Sequence, residues 1–175
     1  LKPEEGVNAV HEMALQIARI AKLNQPRRGI GVHVNLANGG TRTNVIAAEA
    51  HAVADVRVQC AADIGKVERS FRNVRPVLPG ARLEITGGVS RPPMERRMSA
   101  ALFQHAKSIA AEMGMELEET GVGGGSDGNF TAAVGVPTLD GLVAIGANAH
   151  STRENIVIRA LAPRAALIAA LIATL

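Results

Sequence analysis

The strongest local signal for chemistry is a glycine-rich run at residues 121–128, which reads Gly-Val-Gly-Gly-Gly-Ser-Asp-Gly. Glycines let the backbone approach a ligand closely, and successive N–H groups can point at an anion. The run lacks the Gly-Lys-Ser/Thr ending of a phosphate-binding P-loop. It also does not open a long helix with an acid about 20 residues later, as a dinucleotide-binding motif does. A ligand-binding loop and a tight turn without a ligand explain this glycine content equally well.

His150 is the histidine most suited to metal binding. It follows a run of small residues at the end of a predicted strand, and neutral imidazole in such a loop is a common metal ligand. Alone it cannot hold zinc, which needs three or more ligands. The other histidines lie on predicted polar faces or within a helix, where a structural role is the simpler interpretation; they are His11, His33, His51 and His105.

Asn44 and Arg57 are suited to binding a carboxylate or a carbonyl. The Asn44 amide can donate and accept hydrogen bonds, although an asparagine that caps a turn is the alternative. The Arg57 guanidinium can form a two-pronged contact with a carboxylate. From the local sequence, a cross-strand ion pair between Arg57 and an acid near Asp55 is the simpler explanation.

Composition excludes several classes of protein. The 175 residues include 30 Ala but only 3 Phe, with no Trp or Tyr, which argues against stacking on nucleic-acid bases. A single cysteine, Cys60, excludes a disulfide framework and a cysteine zinc site. The 19 basic residues are scattered and form no stripe, so no nucleic-acid partner is expected. No apolar run reaches the ~18 residues of a membrane span, so no membrane partner is expected either.

The first half of the chain has the element order α-β-β-α-β. Apolar residues at helical spacing predict helices at residues 6–24 and 61–75, and alternation predicts strands at 30–36, 48–58 and 82–86. In the first of these strands, Ile30, Val32, Val34 and Leu36 are expected to share one face. The order is that of a split β-α-β (ferredoxin-like) domain without its first strand. That strand would lie just before Leu1.

After residue 90, helices alternate with short apolar strands. Helices are predicted at residues 99–114, with Ser99 as N-cap, 129–134 and 161–175, and short strands at 115–119, 136–139 and 143–149. This alternation indicates part of a mostly parallel α/β sheet. The fold class is therefore α+β followed by α/β, in two incomplete domains at residues 1–90 and 91–175.

Several motifs, in this order, resemble the glutamate carboxypeptidase / aminoacylase-type family of dinuclear zinc metallopeptidases. They are Gly-Val-Asn-Ala at 6–9, Thr-Asn-Val-Ile at 43–46, Ala-Asp-Val-Arg at 54–57, Gly-Gly-Gly-Ser-Asp at 123–127, Gly-Val-Pro-Thr at 135–138 and Ala-His-Ser at 149–151. The resemblance covers essentially the whole chain but only the C-terminal half of such an enzyme. It implies a lid or dimerisation domain up to about residue 90, followed by the last part of the catalytic domain.

The resemblance also implies roles for individual residues. His150 matches the last zinc ligand of the family. Asn44 and Arg57 match lid positions that hold the substrate carboxylate, and Asn44 often reaches the site of the partner subunit. The loop that lines the substrate pocket matches Gly124, Gly125 and Ser126. No catalytic residue is assigned in this chain, because the other zinc ligands, the general-base Glu and a carbonyl-polarising lid His precede it in the family.

The expected function is therefore part of a zinc-dependent hydrolase that cleaves an amide bond next to a free carboxylate, as a carboxypeptidase or an N-acyl-amino-acid hydrolase. In the family, two zinc ions activate a water molecule while a Glu moves the proton. We expect this chain alone to be inactive, to retain few or no zinc ions, and to form a homodimer through the lid. The alternative is a non-catalytic ligand-binding or dimerisation module. A cytoplasmic location is expected, with the periplasm as the alternative.

Overall fold

The computed structural model describes residues 2, 5–142 and 144–175. The chain divides into two compact units, residues 1–93 and 94–175. Each unit is mixed α/β and contains one two-stranded antiparallel sheet among its described residues. No helix in the described part of the chain is both long and apolar enough to cross a membrane.

The first unit consists of two helices and a hairpin. Its elements are α1 (Ala9–Ala21), β1 (Ile30–Gly39), β2 (Ala50–Val58) and α2 (Ala61–Arg72), with a 3₁₀ turn at Pro26–Arg28. Helix α1 begins at Asn8, whose side-chain oxygen accepts hydrogen bonds from two backbone N–H groups of the first turn. Residues 82–86, predicted as a strand, belong to no sheet in the structure. Alternation alone predicted that strand wrongly, because a strand also needs a neighbour to pair its backbone groups.

A β-bulge in β1 changes which side chains face the helices. Val34 is opposite Ala54, but the next pair is Leu36 opposite Val53, so Asn35 is the extra residue. Because one extra residue moves all later side chains to the other face, Leu36 is turned outward and is 66% exposed. The prediction that Leu36 shares a face with Ile30 and Val32 is therefore wrong.

The core of the first unit lies between the sheet and both helices. Ile30 and Val32 of β1 are 1% and 2% exposed, and they pack with Val67 of α2. Half-buried apolar residues surround this cluster: Ile20, Leu23, Val58 and Phe71. One face of the hairpin is therefore covered by helices, whereas the other face carries exposed residues.

The second unit is mainly helical. Its elements are α3 (Arg96–Glu112), α4 (Gly128–Ala133), β3 (Gly146–Ala147), β4 (Asn155–Ile156) and α5 (Leu161–Thr174), with a 3₁₀ turn at Ile158–Ala160. Helix α3 begins earlier than predicted: Glu95 is the N-cap, and the Ser99 hydroxyl donates to the Arg96 carbonyl at 3.1 Å. Ser99 is therefore not the cap.

The strands expected in the second unit are mostly not formed. Residues 115–119 and 136–139 belong to no helix or sheet, and the strand predicted at 143–149 is reduced to Gly146–Ala147. Val143 lies outside the described residues. The described residues thus form a short antiparallel pair instead of the expected parallel sheet. Short apolar runs are favourable for a buried strand, but they do not supply the neighbouring strands that a parallel sheet requires.

Helices α3 and α5 supply most of the core of the second unit. Ala106, Ala110 and Leu167 are completely buried, and Phe103, Leu117 and Leu171 complete the cluster. Ala106 and Ala110 are four residues apart, so both lie on the side of α3 that contacts α5. Their small size allows the large Leu167 side chain to fill the space between the helices.

Candidate functional site

His150 lies in the loop of a very short hairpin. Strands β3 and β4 pair Gly146 with Ile156 and Ala147 with Asn155, and residues 148–154 connect them. His150 is exposed and has a left-handed backbone with φ = 63°, and Asn148 has φ = 59°. Few non-glycine residues adopt this region, although asparagine and histidine do so more often than most, and the surroundings must hold them there.

A set of hydrogen bonds closes this loop, and Ser151 takes part in four of them. Its N–H and its hydroxyl donate to the Asn148 carbonyl at 3.1 and 2.8 Å. The N–H of Arg153 donates to the Ser151 hydroxyl at 3.2 Å, and the N–H of Glu154 donates to the Ser151 carbonyl at 3.1 Å. The Glu154 carboxylate in turn accepts from the His150 N–H at 3.3 Å. The loop is therefore defined by its own side chains.

The described residues do not form a complete metal site. They contain no group of three or more His, Cys, Asp and Glu side chains placed to hold an ion. An exposed imidazole at the end of a hydrogen-bonded hairpin fits a single zinc ligand, so this part of the chain can supply one donor. The remaining ligands of a site that used His150 would have to come from elsewhere.

The glycine-rich loop lies on the surface of the second unit, just before α4. Gly124 and Gly125 are exposed, and Gly124 has open space where a side chain would stand. Ser126 is half-buried; its N–H donates to the Asn129 side chain at 2.9 Å, and its hydroxyl accepts from the Gly128 N–H at 3.2 Å. Ser126 thus stabilises the turn into α4, while the glycines leave the backbone accessible to a ligand.

Asn44 and Arg57 lie at opposite ends of the β1–β2 hairpin. Asn44 is exposed in the loop that follows the Gly39–Ala50 pair, whereas Arg57 is opposite Gly31 near the other end. Gly39 lies eight residues after Gly31, which at 3.3 Å per residue is roughly 26 Å of strand. Within one copy of the chain the register therefore places Arg57 and the Asn44 loop at the two ends of the hairpin.

Arg57 forms an ion pair on the outer face of the sheet. Its Nε donates to the Asp55 carboxylate at 2.8 Å, and the two side chains are 56% and 42% exposed. The acid that pairs with Arg57 thus lies two residues away on the same strand and face. An exposed pair of this kind is weak, so it does not prevent Arg57 from binding another carboxylate.

The sequence analysis missed a buried carboxylate, Glu12 of α1. Glu12 is only 3% exposed, and its two oxygens accept from the N–H groups of Val77 and Leu78 at 2.7–3.1 Å. Gln16, one turn later, donates to Glu12 and to the Arg75 carbonyl. The sequence did contain a signal for it: Glu12 and Gln16 are polar, lie four residues apart and are next to the apolar stripe of α1.

Hydrogen bonding sets the charge state of Glu12. Burial by itself raises the pKa of this carboxyl group. The side-chain amide of Gln16 and the N–H groups of Leu78 and Val77 lower it, with a further contribution from Arg19, so the pKa of Glu12 lies below its ordinary value. Glu12 is thus a charged, structural group that joins α1 to the segment after α2.

Comparisons with known proteins identify the first unit. Residues 2–76 match the family model described as the M20 peptidase dimerisation domain. Two curated bacterial proteins are similar over almost the whole chain. The uncharacterised protein YqjE of Bacillus subtilis is 27% identical over 98% of this chain and 47% of its own length. Carboxypeptidase G2 of a Pseudomonas species is 26% identical over 96% of this chain and 41% of its own length.

Two solved structures share the fold. A tripeptidase from Staphylococcus aureus has a TM-score of 0.75 and 24% identity, with 97% of this chain and 46% of its own covered. Aminopeptidase PepT from Bacillus cereus has a TM-score of 0.66 and 24% identity, with 98% of this chain and 46% of its own covered. The chain thus spans about half the length of the relatives it matches. The resemblance drawn from the sequence is confirmed: residues 2–76 match the M20 peptidase dimerisation domain, and almost the whole chain is similar to carboxypeptidase G2.

Proposed function

We propose that this chain is the lid and C-terminal catalytic segment of a zinc-dependent hydrolase that cleaves an amide bond next to a free carboxylate. The observation that carries the proposal is the match of residues 2–76 to the peptidase dimerisation domain, within a similarity to carboxypeptidase G2 that continues over 96% of the chain. The name of that relative supports a substrate with a free carboxylate. The names of the two structural neighbours support a peptide substrate.

In this proposal His150 supplies one zinc ligand, and the other ligands come from outside the chain. Bound zinc would polarise the scissile carbonyl and activate water. The residues of this chain bind and orient the substrate. Gly124, Gly125 and Ser126 line the substrate pocket with accessible backbone, and Arg57 binds the substrate carboxylate by its guanidinium.

We further propose that the first unit forms a homodimer and acts as a split β-α-β lid. The placement of Asn44 and Arg57 at opposite ends of the hairpin supports this arrangement, because Asn44 could then serve the site of the partner subunit while Arg57 serves its own. A non-catalytic dimerisation module is the second candidate, and it is favoured by the lack of a three-donor metal cluster among the described residues.

Replacement of His150 tests the proposal. In the intact protein that contains this chain, His150→Ala should lower bound zinc and remove most hydrolysis of peptides and N-acyl amino acids. The matched control is His11→Ala, an exposed histidine on α1 that should leave both unchanged. Zinc content is measured by atomic absorption and hydrolysis by release of the free amino acid. Full zinc content in His150→Ala would refute the ligand role, and binding of substrate without turnover by the unaltered protein would favour the dimerisation module.

A further inference from the structure

The backbone around His150 is held in a conformation that its sequence does not favour. His150 and Asn148 are the two non-glycine residues with positive φ among the described residues. For an L-residue with a large side chain this region is sterically unfavourable, so other contacts must stabilise it. Residues in such backbone conformations are concentrated at functional sites, where the surrounding contacts hold them in place.

The carboxylate of Glu154 is placed to hold His150 directly. It accepts a hydrogen bond from the backbone N–H of His150, four residues earlier in the hairpin loop, at 3.3 Å. Glu154 is itself fixed, because its own N–H donates to the Ser151 carbonyl at 3.1 Å and the next residue, Asn155, is the first of β4. The contact therefore links the least favourable backbone position of the loop to the start of a strand.

The remaining hydrogen bonds of the loop do not reach the His150 backbone. Those of Ser151 join Asn148 to Arg153, and the side chains of Asn148 and Asn155 donate to the Arg153 carbonyl at 3.4 and 3.0 Å. These hydrogen bonds join the two ends of the loop that contains His150. The Glu154 side-chain oxygen, placed at this reach, is thus the acceptor that orients His150 within the loop.

We propose that Glu154 is a positioning residue for His150: its carboxylate holds the His150 N–H, keeps the residue left-handed and so fixes the backbone from which the imidazole projects. This inference rests on the proposed function, in which His150 binds zinc. A preorganised ligand binds its metal more tightly, because less conformational freedom is lost on binding. Partners that orient metal ligands typically change metal affinity by about tenfold to a hundredfold when removed.

The test uses three substitutions at one position. Glu154→Ala removes the acceptor, Glu154→Asp keeps the charge but withdraws it by one methylene, and Glu154→Gln keeps an oxygen at the same reach without the charge. Glu118→Ala, an exposed acid of the same unit, is the matched control. Zinc affinity is measured by competition with a chelator on the intact protein, and exchange of the His150 amide hydrogen by mass spectrometry or NMR.

Positioning predicts zinc affinity about tenfold weaker in Glu154→Ala and Glu154→Asp, with Glu154→Gln close to the unaltered protein. Exchange of the His150 amide should be about tenfold faster in the first two variants and unchanged in Glu118→Ala. Unchanged zinc affinity in Glu154→Ala, or a loss in Glu154→Gln with none in Glu154→Asp, would overturn the inference. His150→Ala is measured in parallel: if it retains zinc, the proposed function fails, whereas zinc loss there with no effect at Glu154 refutes only the positioning role.

Discussion

Two carboxylates, one in each unit, show how differently a similar electrostatic contact can act. Glu12 is almost completely buried and binds backbone N–H groups of a segment 65 residues away. Glu119 binds the Arg96 guanidinium with both oxygens at 2.6–3.0 Å, but its side chain is 37% exposed and that of Arg96 is 68% exposed. The Arg96 guanidinium lowers the pKa of Glu119, as hydrogen bonding lowers that of Glu12.

The difference between the two lies in what remains when the carboxylate is removed. Without Glu119, the Arg96 guanidinium is still solvated. Without Glu12, the N–H groups of Val77 and Leu78 lose their acceptor in a half-buried position. A polar group that is shielded from water without a hydrogen-bond partner lowers the free energy of unfolding strongly, whereas an exposed ion pair contributes little to it. The contact between Glu12 and residues 77–78 should therefore stabilise the fold far more than the ion pair between Arg96 and Glu119, although the latter has two short contacts.

The largest effect is expected for Glu12→Ala. It should lower the free energy of unfolding of the first unit by about 2–4 kcal/mol, because two backbone donors and Gln16 lose their acceptor. Glu12→Gln should be intermediate, since one amide oxygen can still accept while the amide nitrogen faces a donor. Urea unfolding followed by circular dichroism measures the change, with exposed Glu84→Ala as the matched control. Equal stability of Glu12→Ala and Glu84→Ala would remove the contrast between the two carboxylates.

A smaller effect of Glu12 should appear in the way the free energy of unfolding depends on pH. Because the pKa of Glu12 is lower in the folded than in the unfolded state, its contribution is complete above its ordinary value of 4.5 and disappears as the pH falls through the folded-state pKa. The unaltered protein should thus lose stability more steeply than Glu12→Ala as the pH falls below 4.5. Urea unfolding at several pH values tests this. Parallel pH profiles of the two proteins would show that the pKa of Glu12 does not change on folding.

The smallest effect is expected for Glu119→Gln. The midpoint of thermal unfolding should barely change at low salt, and any difference should vanish at high salt, since exposed charges are screened. Arg96→Gln and the double variant complete a thermodynamic cycle that isolates the pair. A coupling energy between Glu119 and Arg96 that persists at high salt would contradict the comparison. Solvent exposure would then not explain why Glu119 contributes less to stability than Glu12.

Much of the fold could be predicted from periodicity. In the described part of the chain, the helices α1 to α5 and the β1–β2 hairpin lie where the apolar spacing indicated, within a few residues. The bulge at Asn35 could not be predicted, because the alternation of residues 30–36 continues through it without a break. Residues 82–86 and 136–139 failed as strands for a related reason: pairing depends on a neighbour that the local pattern does not reveal.

The candidate site was predictable in part. His150 was selected by its position after a run of small residues, and the structure places it at the end of a hairpin. Its left-handed backbone and the contact with Glu154 were not predictable, since they depend on how residues 148–154 close on themselves. The separation of Asn44 from Arg57 followed only from the register of the hairpin.

The sequence by itself determined the order of the helices and the hairpin, the absence of a disulfide framework and the resemblance to M20 peptidases, because these depend on residue types and their local spacing. Only the tertiary structure decided that Leu36 faces outward, that Glu12 is a buried acceptor for Val77 and Leu78, and that Glu154 reaches the His150 backbone. The physical reason is the same in each case. Burial and hydrogen bonding depend on which backbone groups meet in space, and residues as far apart as Glu12 and Val77 meet only when the chain is folded.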